Sequence, residues 1–159
     1  MTLLLQTGIR VGECAALNVE DVYAQSRKNK VIIRSGKGDR YREVPLNHDA
    51  CEALLAWLEF LAKKYGSPKV SSPLFPNPQG GRMTTAALDL VVRKLGQEVG
   101  LQISPHVLRH TLVTNLVKGG NDLVLVAEIA GHEKVETTTR YSLSTAEDKE
   151  QALFRLVED

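Results

Sequence analysis

The chain has 159 residues, the size of one domain, which can bury roughly 68–70% of the surface its unfolded form exposes without disulfide or metal staples. With 43% hydrophobic and 25% charged residues it is neither a disordered nor a fibrous sequence, and no apolar run approaches the ~20 residues of a membrane span. The formal net charge of +1 weighs against a polyanionic partner until its distribution is inspected. Between Arg27 and Arg42 stand seven cations (Arg27, Lys28, Lys30, Arg34, Lys37, Arg40, Arg42) against one acid, Asp39, while acids gather near the C-terminus at Glu147, Asp148 and Glu150.

In chain order, Met1 to Gln6 reads as the end of an apolar helix with no N-cap, as though the chain starts inside an element. Its apolar block is short and has no basic lead-in, so no secretory signal and a soluble cytoplasmic protein are expected. Val11 to Leu17 predicts a short amphipathic helix with Val11, Cys14, Ala15 and Leu17 inward. Val22-Tyr23, Lys30 to Arg34 and Tyr41 to Pro45 predict a three-stranded antiparallel sheet whose last hairpin turns at Ser35-Gly36-Lys37-Gly38-Asp39. Asn47 caps a helix to about Tyr65, with Leu54, Leu55, Leu58 and Leu61 as its inner stripe and Gly66 as its stop. Ser67 to Met83, rich in proline, reads as a surface loop, and Thr84-Thr85 open a helix to about Val99. Ser104-Pro105 starts a helix through Lys118, Asn121 or Asp122 caps a shorter one ending at Gly131, and Val135–Tyr141 and Ala146–Val157 predict two more. Cys14 and Cys51, without CxxC spacing, are expected as buried thiols.

The chemistry concentrates in the second half. His106 and Arg109 lie at i and i+3 in the first turns of a helix, whose N-terminal N–H groups and a guanidinium fork suit phosphate oxygens. By spacing alone, solvated surface groups remain the alternative. A metal site at His106, His110 and His132 lacks a carboxylate beside the pair and is not expected. Tyr141 follows Thr139-Arg140, and positive charge beside a tyrosine stabilises its phenolate, which makes it a candidate nucleophile.

Taken together, His106-Val107-Leu108-Arg109-His110-Thr111, Ala130-Gly131-His132-Glu133 and Thr138-Thr139-Arg140-Tyr141 resemble the catalytic signature of the tyrosine recombinase (phage integrase) family. Thr7-Gly8-Ile9-Arg10-Val11-Gly12-Glu13 resembles the segment bearing that family's first catalytic arginine, and Ser35-Gly36-Lys37-Gly38 its lysine-bearing hairpin tip. The resemblance runs in order from about Leu3 to Tyr141 and implies an α+β, mainly helical catalytic domain over 1–159, with helices around a small three-stranded antiparallel sheet. It also implies DNA strand cleavage and rejoining without metal or cofactor, through a covalent 3′-phosphotyrosine. By the resemblance Tyr141 is the nucleophile, Arg10 and Arg109 clamp the non-bridging oxygens, His106 and His132 add hydrogen bonds, and Lys37 protonates the leaving 5′-oxygen. Arg34, Arg40, Arg42 and Arg140 are expected to touch DNA phosphates, and Glu13 either to orient Arg10 or to be a solvated acid.

Implied partners are double-stranded DNA and further copies of the chain, a monomer when free and a tetramer on DNA coupled through the helix within 144–158, with no membrane. Against the family pattern, the N-terminal DNA-binding domain is expected to be absent from this chain. Ala130 replaces a usual leucine, and Leu112-Val113 a usual aromatic-small pair. The rival readings are a DNA-binding or regulatory module that no longer turns over, and a type IB topoisomerase-like relaxing activity.

Overall fold

The apolar start of the chain coils into a first helix, α1 (Thr2–Thr7), which buries Leu3 and Leu4 and stops at Gly8. A computed structural model describes residues 1–34 and 41–131. Lys37 and Arg40, as well as His132, Arg140, Tyr141 and the two helices expected after Val135, lie outside the described residues. After α1 come α2 (Val11–Ala16), a 3₁₀ turn (Val19–Asp21), the strands β1 (Val22–Tyr23), β2 (Lys30–Arg34) and β3 (Tyr41–Pro45), and then α3 (His48–Tyr65), α4 (Thr85–Glu98), α5 (Pro105–Lys118) and α6 (Leu123–Ala130). The mainly helical α+β class is as the sequence predicts.

The strands form one antiparallel sheet in the order β1-β2-β3. Strand alternation puts Val31 and Ile33 of β2 on the same face as Val44 of β3, and all three are buried. Helix starts follow local chemistry. Asn47 accepts the Ala50 N–H at 3.0 Å, Thr84 the Ala87 N–H at 3.1 Å, and Asp122 the Val124 N–H at 2.8 Å, each satisfying an N-terminal donor that the helix leaves unpaired.

Two compact units divide the chain, residues 1–112 and 113–159, with α5 running through the boundary. In the first, α1 packs on α3 and α2 on α4 around a core that includes Leu4, Ile9, Cys14, Val31, Leu54, Leu74 and Val92. In the second, Val113, Val126 and Ala130 gather with half-buried Leu116 and Val117.

Three details depart from the sequence expectations. The 3₁₀ turn was not foreseen, and it carries Asp21 into the interior, where its carboxylate accepts the Asn18 N–H at 2.9 Å. On α3 the buried residues are Ala50, Cys51, Leu54 and Leu61, whereas Leu55 and Leu58 are half-buried where they flank a shallow cavity beside residues 22–26. The proline-rich segment is more than a surface loop. Leu74 is fully buried, its carbonyl accepts the Trp57 Nε1–H at 2.7 Å, and the Trp57 ring stacks on Phe75 with centroids 5.9 Å apart.

Candidate active site

The candidate site begins at the short turn between α1 and α2. Gly8 ends α1 in the left-handed region, φ 63°, where a side chain would be strained. A Cβ there would also lie 2.9 Å from Leu112 Cδ2, so glycine lets α5 approach the turn closely. The Gly8 carbonyl accepts a hydrogen bond from Arg109 Nη1 on α5. Ile9, 1% exposed, pins the turn into the core, and Arg10 follows as the extended N-cap residue of α2. Two arginines far apart in sequence are thus fixed to one three-residue turn.

On α5 the Ser104 hydroxyl accepts the Val107 N–H at 3.3 Å, so the helix starts where the Ser-Pro pair predicts. His106 is exposed and Arg109 half-buried, and their spacing places them on one face of the helix. Arg10, His106 and Arg109 therefore all lie on or beside segments held by the Gly8 turn and the first turns of α5.

Glu13 organises the Arg10 side. Its Oε2 accepts the Arg10 backbone N–H at 2.7 Å and its Oε1 the Arg10 Nη1 at 3.2 Å. The same carboxylate receives a two-pronged fork from β3, Arg42 Nη1 to Oε1 at 2.8 Å and Nη2 to Oε2 at 2.9 Å. Burial pushes the Glu13 carboxyl up, but the hydrogen bonds and charges of Arg42 and Arg10 outweigh it, so the group ionises below its ordinary range. Glu13 is therefore not a solvated acid: it orients Arg10.

The basic hairpin is partly committed to internal partners. Arg42, expected at phosphates, spends both Nη atoms on Glu13, because its place two residues before buried Val44 turns it toward the core face of β3. Arg34 remains 63% exposed at its side chain, with Nε held 2.8 Å from Asp21. Lys30 pairs with Glu43 at 2.6 Å. Sequence reasoning missed Asp21 and the Arg42–Glu13 fork. Arg42 and Val44 at alternate positions of one strand were the available signal for the second. Both cysteines are buried, and burial pushes the Cys14 thiol up to about 12, which leaves it inert as a nucleophile at neutral pH. Among the described residues no three or more metal-ligating side chains cluster, and no helix is long and apolar enough to cross a membrane.

The arrangement of Arg10, Glu13, His106 and Arg109 lies within a match to the sequence profile of the phage integrase family that spans residues 1–148. The chain belongs to the phage integrase family. Among its relatives, tyrosine recombinase XerD of Mycobacterium leprae is 35% identical over 92% of this chain and 48% of its own length. Tyrosine recombinase XerC of Corynebacterium efficiens is 37% identical over 89% of this chain and 44% of its own length. In structure, this phage integrase domain resembles XerA recombinase (TM-score 0.78, 31% identity, 96% of this chain and 55% of that one). It is equally close to XerH site-specific recombinase bound to difH substrate in a pre-cleavage complex (TM-score 0.78, 30% identity, 95% of this chain and 44% of that one). The chain spans about half the length of the curated relatives it matches.

Proposed function

We propose that this phage integrase domain cleaves and rejoins DNA strands in site-specific recombination, with Tyr141 as the nucleophile. The observation that carries the reading is the family match over residues 1–148, which takes in every position of the motif set, supported by the anchoring of Arg10 and Arg109 on a single turn. In this reading Tyr141 attacks a backbone phosphate of duplex DNA, forms a 3′-phosphotyrosine and releases a 5′-hydroxyl. The covalent bond retains the phosphodiester linkage, so a hydroxyl from another strand reverses the step on a new partner.

Transfer of a phosphoryl group spreads negative charge over the non-bridging oxygens, and fixed donors aimed there supply the largest catalytic contribution. Arg10 and Arg109 fill that role, His106 and His132 add hydrogen bonds, and His106 assists removal of the Tyr141 proton. Lys37 delivers the proton to the leaving oxygen. Arg34, Arg40 and Arg140 contact flanking phosphates, which positions the duplex without reading its sequence. The partners in this reading are double-stranded DNA and further copies of the chain, four of which assemble on two DNA sites through the segment 144–158, in a cytoplasmic setting.

The test is a pool of nicked duplexes randomised across the cleavage region, in which loss of the short 5′-hydroxyl fragment traps the covalent intermediate. The wild-type chain is expected to yield a denaturant-stable protein–DNA adduct that Tyr141→Phe abolishes. Arg109→Ala should bind the same pool but form adduct roughly 10²–10³ times more slowly. Absence of any Tyr141-dependent adduct overturns the reading.

A further inference from the structure

Arg42 is the residue whose surroundings least fit the role its charge suggests. A phosphate contact needs its donors facing DNA, yet both Nη atoms close on Glu13 and the side chain is only 24% exposed. Its Nε is buried with no hydrogen-bond partner among the described residues. An unpaired buried donor is costly, and a lysine at this position would carry the same charge with a methylene where Arg42 has that Nε–H. What arginine supplies and lysine cannot is the two-pronged fork, which fixes the plane of the carboxylate as well as its position.

That plane matters because the same two oxygens hold Arg10. With Oε1 and Oε2 both engaged by Arg42, the carboxylate can accept the Arg10 N–H and Nη1 in only one orientation. The Arg10 side chain itself remains 49% exposed, so the Glu13 carboxylate sets its direction from the protein side. The fork ties β3, which carries Arg42, to the start of α2.

We propose that Arg42 is a positioning residue that acts through Glu13 to aim the Arg10 guanidinium, and that it does not contact DNA. The inference rests on the functional reading above. It is tested by measuring adduct formation at saturating nicked duplex, duplex affinity and its salt dependence, and thermal melting, for Arg42→Lys, Arg42→Gln, Glu13→Gln and the double variant Arg42→Lys/Glu13→Gln. Arg42→Lys keeps the charge and the stem, and Arg42→Gln serves should the lysine variant fail to fold. Expected is a rate at saturation lowered about 10- to 100-fold, the range that a small misplacement of a catalytic group produces. Affinity should stay within about twofold with an unchanged salt slope, and the double variant should be no slower than the slower single variant.

Rescue of the rate by Arg42→Lys, or losses that add in the double variant, overturns the inference. A weaker affinity with the salt slope reduced by about one and an unchanged saturated rate also overturns it, and makes Arg42 a phosphate contact. A wild-type chain that forms no adduct overturns the functional reading and this inference with it, whereas a competent wild type with unaffected Arg42 variants overturns this inference alone.

Discussion

Glu13 is the residue on which the candidate site turns, because one half-buried carboxylate joins Arg10 on α2 to Arg42 on β3. Its folded-state ionisation lies below the ordinary value of about 4.3, so the stability it contributes is fully present above that value and is lost as pH falls through the depressed folded one. Glu13→Gln keeps the volume but removes the anion that accepts the Arg42 fork together with the Arg10 Nη1 and backbone N–H. At pH 7 it should lower unfolding free energy by about 1–3 kcal/mol, the cost of leaving partly buried donors without their anion. In urea titrations the gap between wild type and Glu13→Gln should narrow from pH 7 to pH 3, and a gap that stays constant contradicts this account of Glu13. The identity of Arg10, His106 and Arg109 as candidates was legible in local sequence, since each belongs to a short motif. The Arg42–Glu13 fork was not, because sheet register and the packing of α2 bring together residues 29 positions apart.

At the scale of elements, boundaries were legible wherever a single residue decides them. Asn47, Thr84 and Asp122 cap through their own side chains, and Gly8 and Gly131 stop helices with positive φ. What local patterning could not reveal was packing between segments. The 3₁₀ turn is too short to show a period, and Leu74 becomes core only because Trp57 and Phe75 enclose its loop. Gly96 in α4 is another such case. Helix propensity alone favours alanine there by about 1 kcal/mol. Yet a Cβ would lie 2.3 Å from Ile103 Cγ1 and 2.8 Å from the Leu101 carbonyl oxygen, because the chain after α4 folds back against it with the Leu101 N–H bonded to Gly96 O at 2.9 Å. Overpacking of this kind typically costs about 1–3 kcal/mol, so the clash outweighs the propensity gain. Gly96→Ala should therefore lower the melting temperature, and a raised one would mean that the 101–103 segment yields freely.

Over the whole molecule, a net charge of +1 and a DNA-directed reading are compatible only if charge is distributed unevenly. The cations between Arg27 and Arg42 provide that unevenness, but of the five among the described residues three have carboxylate partners: Lys30 with Glu43, Arg34 with Asp21 and Arg42 with Glu13. A cation already neutralised on the protein condenses less additional charge from a phosphate, so the segment should release fewer counterions than its composition suggests. Each phosphate neutralised contributes a slope of about −0.9 to log K against log salt. Fluorescence anisotropy on a non-specific duplex between roughly 50 and 200 mM salt separates the two kinds of cation. Arg40→Gln, at a proposed phosphate contact, should flatten the slope by about one. Lys30→Gln, which removes a charge of the same sign but one held 2.6 Å from Glu43, should leave it nearly unchanged. Equal flattening by both variants would show that the Lys30–Glu43 pair opens on DNA, and that the number of cations, rather than their pairing in the fold, sets the affinity.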